Sequence, residues 1–350
     1  MKNRILTSAL LLGLFFSLTT RAQPIVGGTN AAKGEFPYIA GLVTKSVQDL
    51  YEGSFCGATL IGPEWILTAA HCLYDDAGQK MTAGALDVFL NVWKLSAPGT
   101  GFERISVSEL YVHPNYNDNT VDNDIALIKL SKASVQPSVK LVSASQLAFY
   151  QASTPVTIAG WGVYDEKNEL YADVLRKAEI EVIAESTCNA ATAYNGEMTS
   201  NMFCAGKMDG SKDACSGDSG GPLVYYDGAT ATQTGIVSWG EGCALAGFPG
   251  IYTRLVNYLG WINTVTGMAS GSEVQKQQMG YVRHTNPESF RINLPQGDNQ
   301  YKIYDQAGRI IETGRFQTSF TIRYAALPSG MYFLECTNGL GTAMDKIFIP

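Results

Sequence analysis

Between Ile25 and about Thr264 the chain is built from short apolar, β-branched runs separated by clusters of Gly, Asn, Asp and Pro. Examples are Ala58-Thr-Leu-Ile61, Ile125-Ala-Leu-Ile128, Val156-Thr-Ile158 and Gly235-Ile-Val237. Runs this short bury their apolar side chains by pairing as strands, so the segment reads as an all-β barrel or sandwich. The 36 glycines in 350 residues fit many tight turns. Only Leu255–Ile262 has helical spacing, with Leu255, Val256, Leu259 and Ile262 on one face, and it reads as a closing helix.

From Gly267 the composition turns polar and small, in Gly-Met-Ala-Ser-Gly-Ser-Glu-Val-Gln-Lys-Gln-Gln, with nothing periodic to bury. Residues 266–285 are expected to be a linker. Alternation returns in Tyr301–Tyr304, Arg309–Glu312, Phe320–Arg323 and Met331–Leu334, punctuated by Asp305-Gln-Ala-Gly308 and Pro328-Ser-Gly330. A small β-sandwich is therefore expected over residues 286–350.

The first 22 residues have the make-up of an export signal: Lys2 and Arg4, an apolar stretch from Ile5 to Leu18, and Thr20-Arg21-Ala22 before the cut. A membrane anchor is the alternative, but the stretch falls short of the roughly 20 apolar residues that span a bilayer. A net charge of −7 leaves no footprint for nucleic acid or anionic membrane. In an oxidising compartment the cysteines are expected to pair. Six lie between Cys56 and Cys243, and the seventh, Cys336, stands apart with no expected intrachain partner. No cysteine–histidine spacing suits zinc, and no metal or cofactor is expected.

Three strings carry chemistry: Leu67-Thr-Ala-Ala-His71-Cys72, Asp122-Asn-Asp124-Ile-Ala-Leu127 and Gly217-Asp-Ser219-Gly-Gly-Pro222. A serine hydroxyl is a weak nucleophile and needs a base; an imidazole base needs a carboxylate to fix its tautomer and steady its charge. Asp122 is an alternative to Asp124, which abuts the apolar run. His113, before Pro114, and His284, at the linker edge, read as solvated bystanders. Residues 25–264 resemble the trypsin family, whose strings occur in the same order of His, Asp and Ser. The resemblance implies two six-stranded antiparallel β-barrels with a C-terminal helix, in a protease domain spanning 25–265. It makes His71 the base, Asp124 its carboxylate and Ser219 the nucleophile of an acyl-enzyme mechanism, with Gly217 and Ser219 N–H as the oxyanion hole.

The same resemblance puts Asp213 at the floor of the pocket for the side chain before the cleaved bond. Ala214, Ser216, Ser238, Trp239, Gly240 and Gly250 fall around that pocket, and Ser238 and Gly240 would bond the substrate as an added strand. A buried carboxylate selects a cation, so cleavage after Arg or Lys is expected. Ala214 replaces a serine found in some relatives, which points to Arg over Lys. Ile25-Val-Gly-Gly28 matches the family's mature N-terminus, whose ammonium would pair with Asp218. Pro24 precedes it instead of Lys or Arg, so an X-Pro dipeptidase is expected to remove the Gln23-Pro24 propeptide. The implied disulfides are Cys56–Cys72, Cys188–Cys204 and Cys215–Cys243. The stretch 90–100 lacks the paired carboxylates of a calcium loop.

Residues from Asn286 resemble the sorting domain of proteins exported by the type IX secretion system, on Tyr301-Lys-Ile-Tyr-Asp305-Gln-Ala-Gly308, Leu327-Pro-Ser-Gly330-Met-Tyr-Phe-Leu334 and Lys346-Ile-Phe-Ile349. An adhesion or sugar-binding module is the alternative for this fold. The expected protein is a secreted or cell-surface serine endopeptidase. Its expected partners are basic-residue substrates, protein protease inhibitors and secretion machinery. A catalytically inactive binding protein on the same scaffold is the rival reading.

Overall fold

Short strands with turn residues at each end pair with their neighbours in sequence, and here twelve of them close into two barrels. The computed structural model describes residues 25–143, 146–165, 167–268, 282–286, 288–305, 309–339 and 341–349. The expected signal peptide, residues 23–24 and the middle of the linker, 269–281, lie outside the described residues.

The first barrel comprises β1 (Ile39–Thr44), β2 (Ser54–Gly62), β3 (Trp65–Thr68), β4 (Leu86–Leu90), β5 (Glu103–Val112) and β6 (Ala126–Leu130). They close antiparallel in the order β1-β2-β3-β6-β5-β4, with β4 returning to β1 at Ala40↔Leu90. The second comprises β7 (Pro155–Gly160), β8 (Arg176–Val182), β9 (Met202–Gly206), β10 (Pro222–Asp227), β11 (Thr230–Trp239) and β12 (Ile251–Arg254). Its order, β7-β8-β9-β12-β11-β10, repeats that of the first, and β10 meets β7 at Leu223↔Ile158. Closure removes the unpaired strand edges that an open sheet would expose.

Strand β8 keeps the expected alternation, turning Ala178, Ile180 and Val182 inward. Strand β4 is buried at all five positions: Arg104 donates to Asp87 at 2.9 Å and Phe89 packs edge-on against Trp161 at 5.4 Å. Leu42, Leu60, Ile66, Leu86 and Leu127 fill that barrel completely out of solvent. Burying one such side chain is worth about 1.5–3 kcal/mol.

The closing helix starts later than its spacing suggests. Leu255–Tyr258 form a 3-10 turn, and the α-helix α1 runs from Leu259 to Thr266. It stops where Gly267 adopts φ +64° and donates its N–H to Asn263 O at 3.0 Å, a left-handed cap. Trp261 and Ile262 join the core of the first barrel. No helix among the described residues is long and apolar enough to cross a membrane.

Beyond it, β13 (Val282–Asn286), β14 (Ser289–Asn293) and β17 (Ser319–Arg323) make one sheet, in the order β13-β14-β17. A second sheet holds β15 (Asn299–Tyr304), β16 (Ile310–Phe316), β18 (Gly330–Asn338) and β19 (Gly341–Ile349), in the order β16-β15-β18-β19. Phe290 and Ile292 from the first sheet meet Ile303, Leu334 and Cys336 from the second in one core, so the unit is a sandwich. Its first strand begins at Val282, inside the expected linker, because residues 282–286 pair one for one with β14. Tyr304, on the outer face of its sheet, rests against Gly260 of α1.

Candidate active site

The three chemical strings lie in loops at strand ends, where a closed barrel can hold irregular backbone firmly. His71 opens a 3-10 turn just after β3, and the next residue, Cys72, is tied to Cys56 on β2 by a disulfide. Asp124, 1% exposed, lies two residues before β6. Its Oδ2 sits 2.8 Å from His71 Nδ1, and its Oδ1 accepts the His71 backbone N–H at 2.9 Å. With Nδ1 donating to the carboxylate, Nε2 is left as the acceptor.

The second barrel completes the grip on this aspartate. Ser238, on β11, donates its hydroxyl to Asp124 Oδ2 at 2.5 Å, and Thr253, on β12, donates to the Asp124 carbonyl at 2.7 Å. Burial works against the His71 imidazolium, but the charge and hydrogen bond of Asp124 overcome it. Asp118 adds a smaller attraction, and the net effect raises the pKa above its usual 6.5.

Ser219 stands in a turn between the barrels. Gly217 adopts φ +92°, a conformation open to glycine and strained for other residues. The turn closes through Asp218 N–H to Cys215 O and Gly221 N–H to Asp218 O, both at 2.9 Å. Gly57 of β2 reaches across and donates its N–H to Ser219 O at 2.8 Å, and Cys72 Sγ lies 3.6 Å from the same oxygen. The serine is thereby fixed beside the histidine turn. Among the described residues, nothing accepts the N–H groups of Gly217 and Ser219.

A cavity of about 220 Å³ opens beside Ser219, lined by Asp213, Ala214, Ser216, Ser238, Trp239, Gly240, Gly250 and Tyr252. Asp213 is 4% exposed; its Oδ1 accepts Ala214 N–H at 2.9 Å and its Oδ2 accepts Ala244 N–H at 3.0 Å. Burial pushes its carboxyl up to about 6, against the pull of the Ala244, Ala214 and Gly250 amides. The Cys215–Cys243 disulfide brings Ala244 into position. A Cβ at Gly250 would lie 2.9 Å from Asp213 Oδ1, so only glycine leaves the carboxylate reachable there. Gly240 is less tight: an added Cβ would meet Tyr194 Oη at 3.6 Å, an ordinary contact, and a longer side chain would instead extend into the opening.

Ile25 is wholly buried in the core of the second barrel, and Val26 O accepts Asp213 N–H at 3.2 Å. Asp218, 2% exposed, is held by Gly162 N–H at 2.8 Å and Cys215 N–H at 3.1 Å, and burial pushes its carboxyl up to about 6. Among the described residues neither Asp213 nor Asp218 has an ion-pair partner. All three disulfides form as the resemblance implies. Cys56, His71 and Cys72 cluster closely enough to suggest a metal site, but two of them are bonded to each other and offer no thiolate.

His113 is not a solvated bystander: it is 8% exposed, with the rings of Tyr258 and Trp261 edge-on at 5.2 and 5.0 Å. Burial pushes its pKa down to about 4. Its Pro114 neighbour suggested a surface turn, and nothing local announced that the closing helix would cover it. His284 is exposed, on β13. The sequence also gave no sign that the Ser238 hydroxyl, placed there as a substrate contact, would face Asp124, nor that Thr253, Ala244 and Tyr252 belong to the site.

Two matched barrels with a serine-bearing turn clamped between them define a serine endopeptidase of the double-barrel class. The family model described as Trypsin matches residues 25–262, and the chain belongs to that family. It is 40% identical over 240 residues to trypsin I-P1 of Gallus gallus, covering 69% of this chain and 88% of the relative. Over 241 residues it is 38% identical to trypsin-3 of Salmo salar, covering 69% and 92%. Over 240 residues it is 37% identical to the trypsin of Sus scrofa, covering 68% and 94%. Residues 286–350 match the secretion system C-terminal sorting domain, which implies secretion machinery as a partner and an extracellular or cell-surface destination.

Proposed function

We propose that the chain cleaves proteins after Arg, and less readily after Lys, through His71, Asp124 and Ser219. The carrying observation is Asp213: a buried carboxylate lining a cavity beside Ser219, with no cation partner among the described residues. An Arg or Lys side chain entering the cavity supplies that cation. The Tyr252 hydroxyl, buried and without a hydrogen-bond partner among the described residues, borders the same Gly250 and offers one further acceptor.

In the reaction, His71 Nε2 takes the Ser219 proton as the hydroxyl attacks the carbonyl, and Asp124 stabilises the imidazolium. The unclaimed N–H groups of Gly217 and Ser219 receive the oxyanion, each worth roughly 3–4 kcal/mol in comparable sites. His71 then protonates the leaving amine, and water releases the acyl group by the reverse path. Ser238 and Gly240 hold the substrate backbone beside Trp239, and Ser216 borders the scissile bond. Because the base must be neutral, kcat/KM falls as pH drops through the raised His71 pKa. A pH profile of an arginyl ester should therefore show its acid limb above 6.5.

Specificity follows from the pocket floor. Beside Asp213, Ala214 offers no hydroxyl to a lysine ammonium, whereas a guanidinium can fork onto the carboxylate directly. Matched peptides should give kcat/KM roughly tenfold higher for Arg than for Lys, about 1.4 kcal/mol. Equal constants would refute this preference while leaving the protease reading intact.

Activation follows from Asp218. Freed of Gln23-Pro24, the Ile25 ammonium would pair with it and order the Ser219 turn. In the uncleaved chain Asp218 has its pKa raised from 3.8 to about 6. Its contribution to stability is therefore complete below pH 3.8 and lost as pH rises through 6, on the order of 3 kcal/mol. The freed ammonium reverses that loss. The Tm difference between enzyme starting at Ile25 and the uncleaved chain should widen from pH 5 to pH 7.5, and a constant difference would remove the pair. Protein inhibitors that present Arg or Lys are natural partners. The amino-terminal signal would export the chain before the sorting domain takes it to the cell surface.

A further inference from the structure

We propose that Asp122 is a positioning residue for the triad, pinning the strained turn before Asp124 to the second barrel. The inference rests on the triad reading above. Two residues in this turn hold backbone conformations that side chains rarely adopt: Val121 at φ +50° and Asn123 at φ +57°. For β-branched Val121 this is costly, and such a conformation persists only where the surroundings hold it.

What holds it is the Asp122 carboxylate. Its Oδ1 accepts the Thr199 hydroxyl at 2.6 Å and the Asn201 amide at 3.1 Å, while its Oδ2 accepts the Asn123 amide at 3.0 Å. Thr199 and Asn201 come from the segment entering β9, so these bonds cross from one barrel to the other. The turn is closed from its other side by Asn117 N–H to Asp122 O at 3.0 Å, and Tyr258 donates to Asn123 Oδ1 at 3.2 Å. Three donors converge on one side chain, which suits a carboxylate because it only accepts.

The consequence falls on Asp124. Its backbone follows directly from the pinned turn, and its two oxygens must meet His71 Nδ1 and the His71 N–H together. If the turn relaxes, the carboxylate swings from the imidazole and the base loses tautomer control. Ser238 and Thr253 then hold it alone. Asp122 acts through geometry and touches neither substrate nor His71. The titratable groups packed around Asp122 are His113, Tyr258 and Asp124, and those acting on His71 are Asp124 and Asp118.

The test compares Asp122→Ala, Asp122→Asn and Thr199→Val in the activated full chain, with active sites counted by an irreversible serine-directed phosphonate. Asp122→Ala should lower kcat per titrated site about tenfold with KM on an arginyl ester nearly unchanged. The acid limb of its pH profile should shift to lower pH, because Asp124 no longer steadies the imidazolium. Asp122→Asn, which keeps one acceptor oxygen, should recover part of the rate. Thr199→Val, which breaks only one of the three contacts, should cost less, and adding it to Asp122→Ala should cost nothing further, since that contact is already lost there. A purely structural role would lower Tm or the fraction of titratable sites and leave kcat per site and the pH limb unmoved; that result overturns the proposal. If the unaltered chain neither labels with the phosphonate nor hydrolyses the ester, the triad reading itself fails, a distinguishable outcome.

Discussion

Ser219→Ala should lower kcat for an arginyl peptide by roughly 10⁶-fold, as loss of the nucleophile does in comparable hydrolases, with KM little changed. On the proposed mechanism the Ser219 hydroxyl is the group that forms the acyl bond. The turn should survive the change. Its shape is set by backbone bonds from Asp218 and Gly221, by Gly57 N–H on Ser219 O and by the Gly217 conformation, none of which uses the hydroxyl. The variant should keep its Tm, bind substrate and retain a rate some 10³-fold above water from the oxyanion donors. Steady-state kinetics with active-site titration make the measurement. If the unaltered chain fails to label with a serine-directed phosphonate, the binding-protein reading gains, and a residual rate near wild type would place the nucleophile elsewhere.

Asp213→Asn should lower kcat/KM for arginyl and lysyl substrates by roughly 10²- to 10⁴-fold, the cost of about 3–5 kcal/mol for breaking a buried pair from one side. Substrates with an apolar residue before the cleaved bond should lose far less, so selectivity collapses while the machinery stays intact. The same substitution has a stability signature. The Asp213 carboxyl is pushed up to about 6 from 3.8. The stability linked to it is present below pH 3.8 and lost as pH rises through 6. In the variant, the fall in Tm between pH 4 and pH 7.5 should shrink. Basic-residue selectivity surviving in the variant would move the recognition of Arg and Lys away from the pocket floor.

Both experiments depend on features of very different legibility. The His71 and Ser219 strings stand out locally, because a base next to a cysteine and a serine among glycines are chemically distinctive at short range. Asp213 could be placed only by resemblance; its neighbour Ala244 comes from a loop drawn in by the Cys215–Cys243 disulfide. The environments of His113 and Asp122 are not legible locally for one shared reason. Their partners, Trp261, Thr199 and Asn201, lie more than 70 residues away in sequence.

Strand character, the order of chemical strings and the break into two units were written in the sequence itself, because period-two patterning, turn residues and composition act over a few neighbours. Closure of each barrel, the hydroxyl of Ser238 on Asp124, the hold of Gly57 on Ser219 and the burial of Asp213 were decided only by the tertiary structure. Each requires two chain segments to meet across a barrel or between barrels, and the direction of a side chain there depends on register and twist accumulated over whole strands.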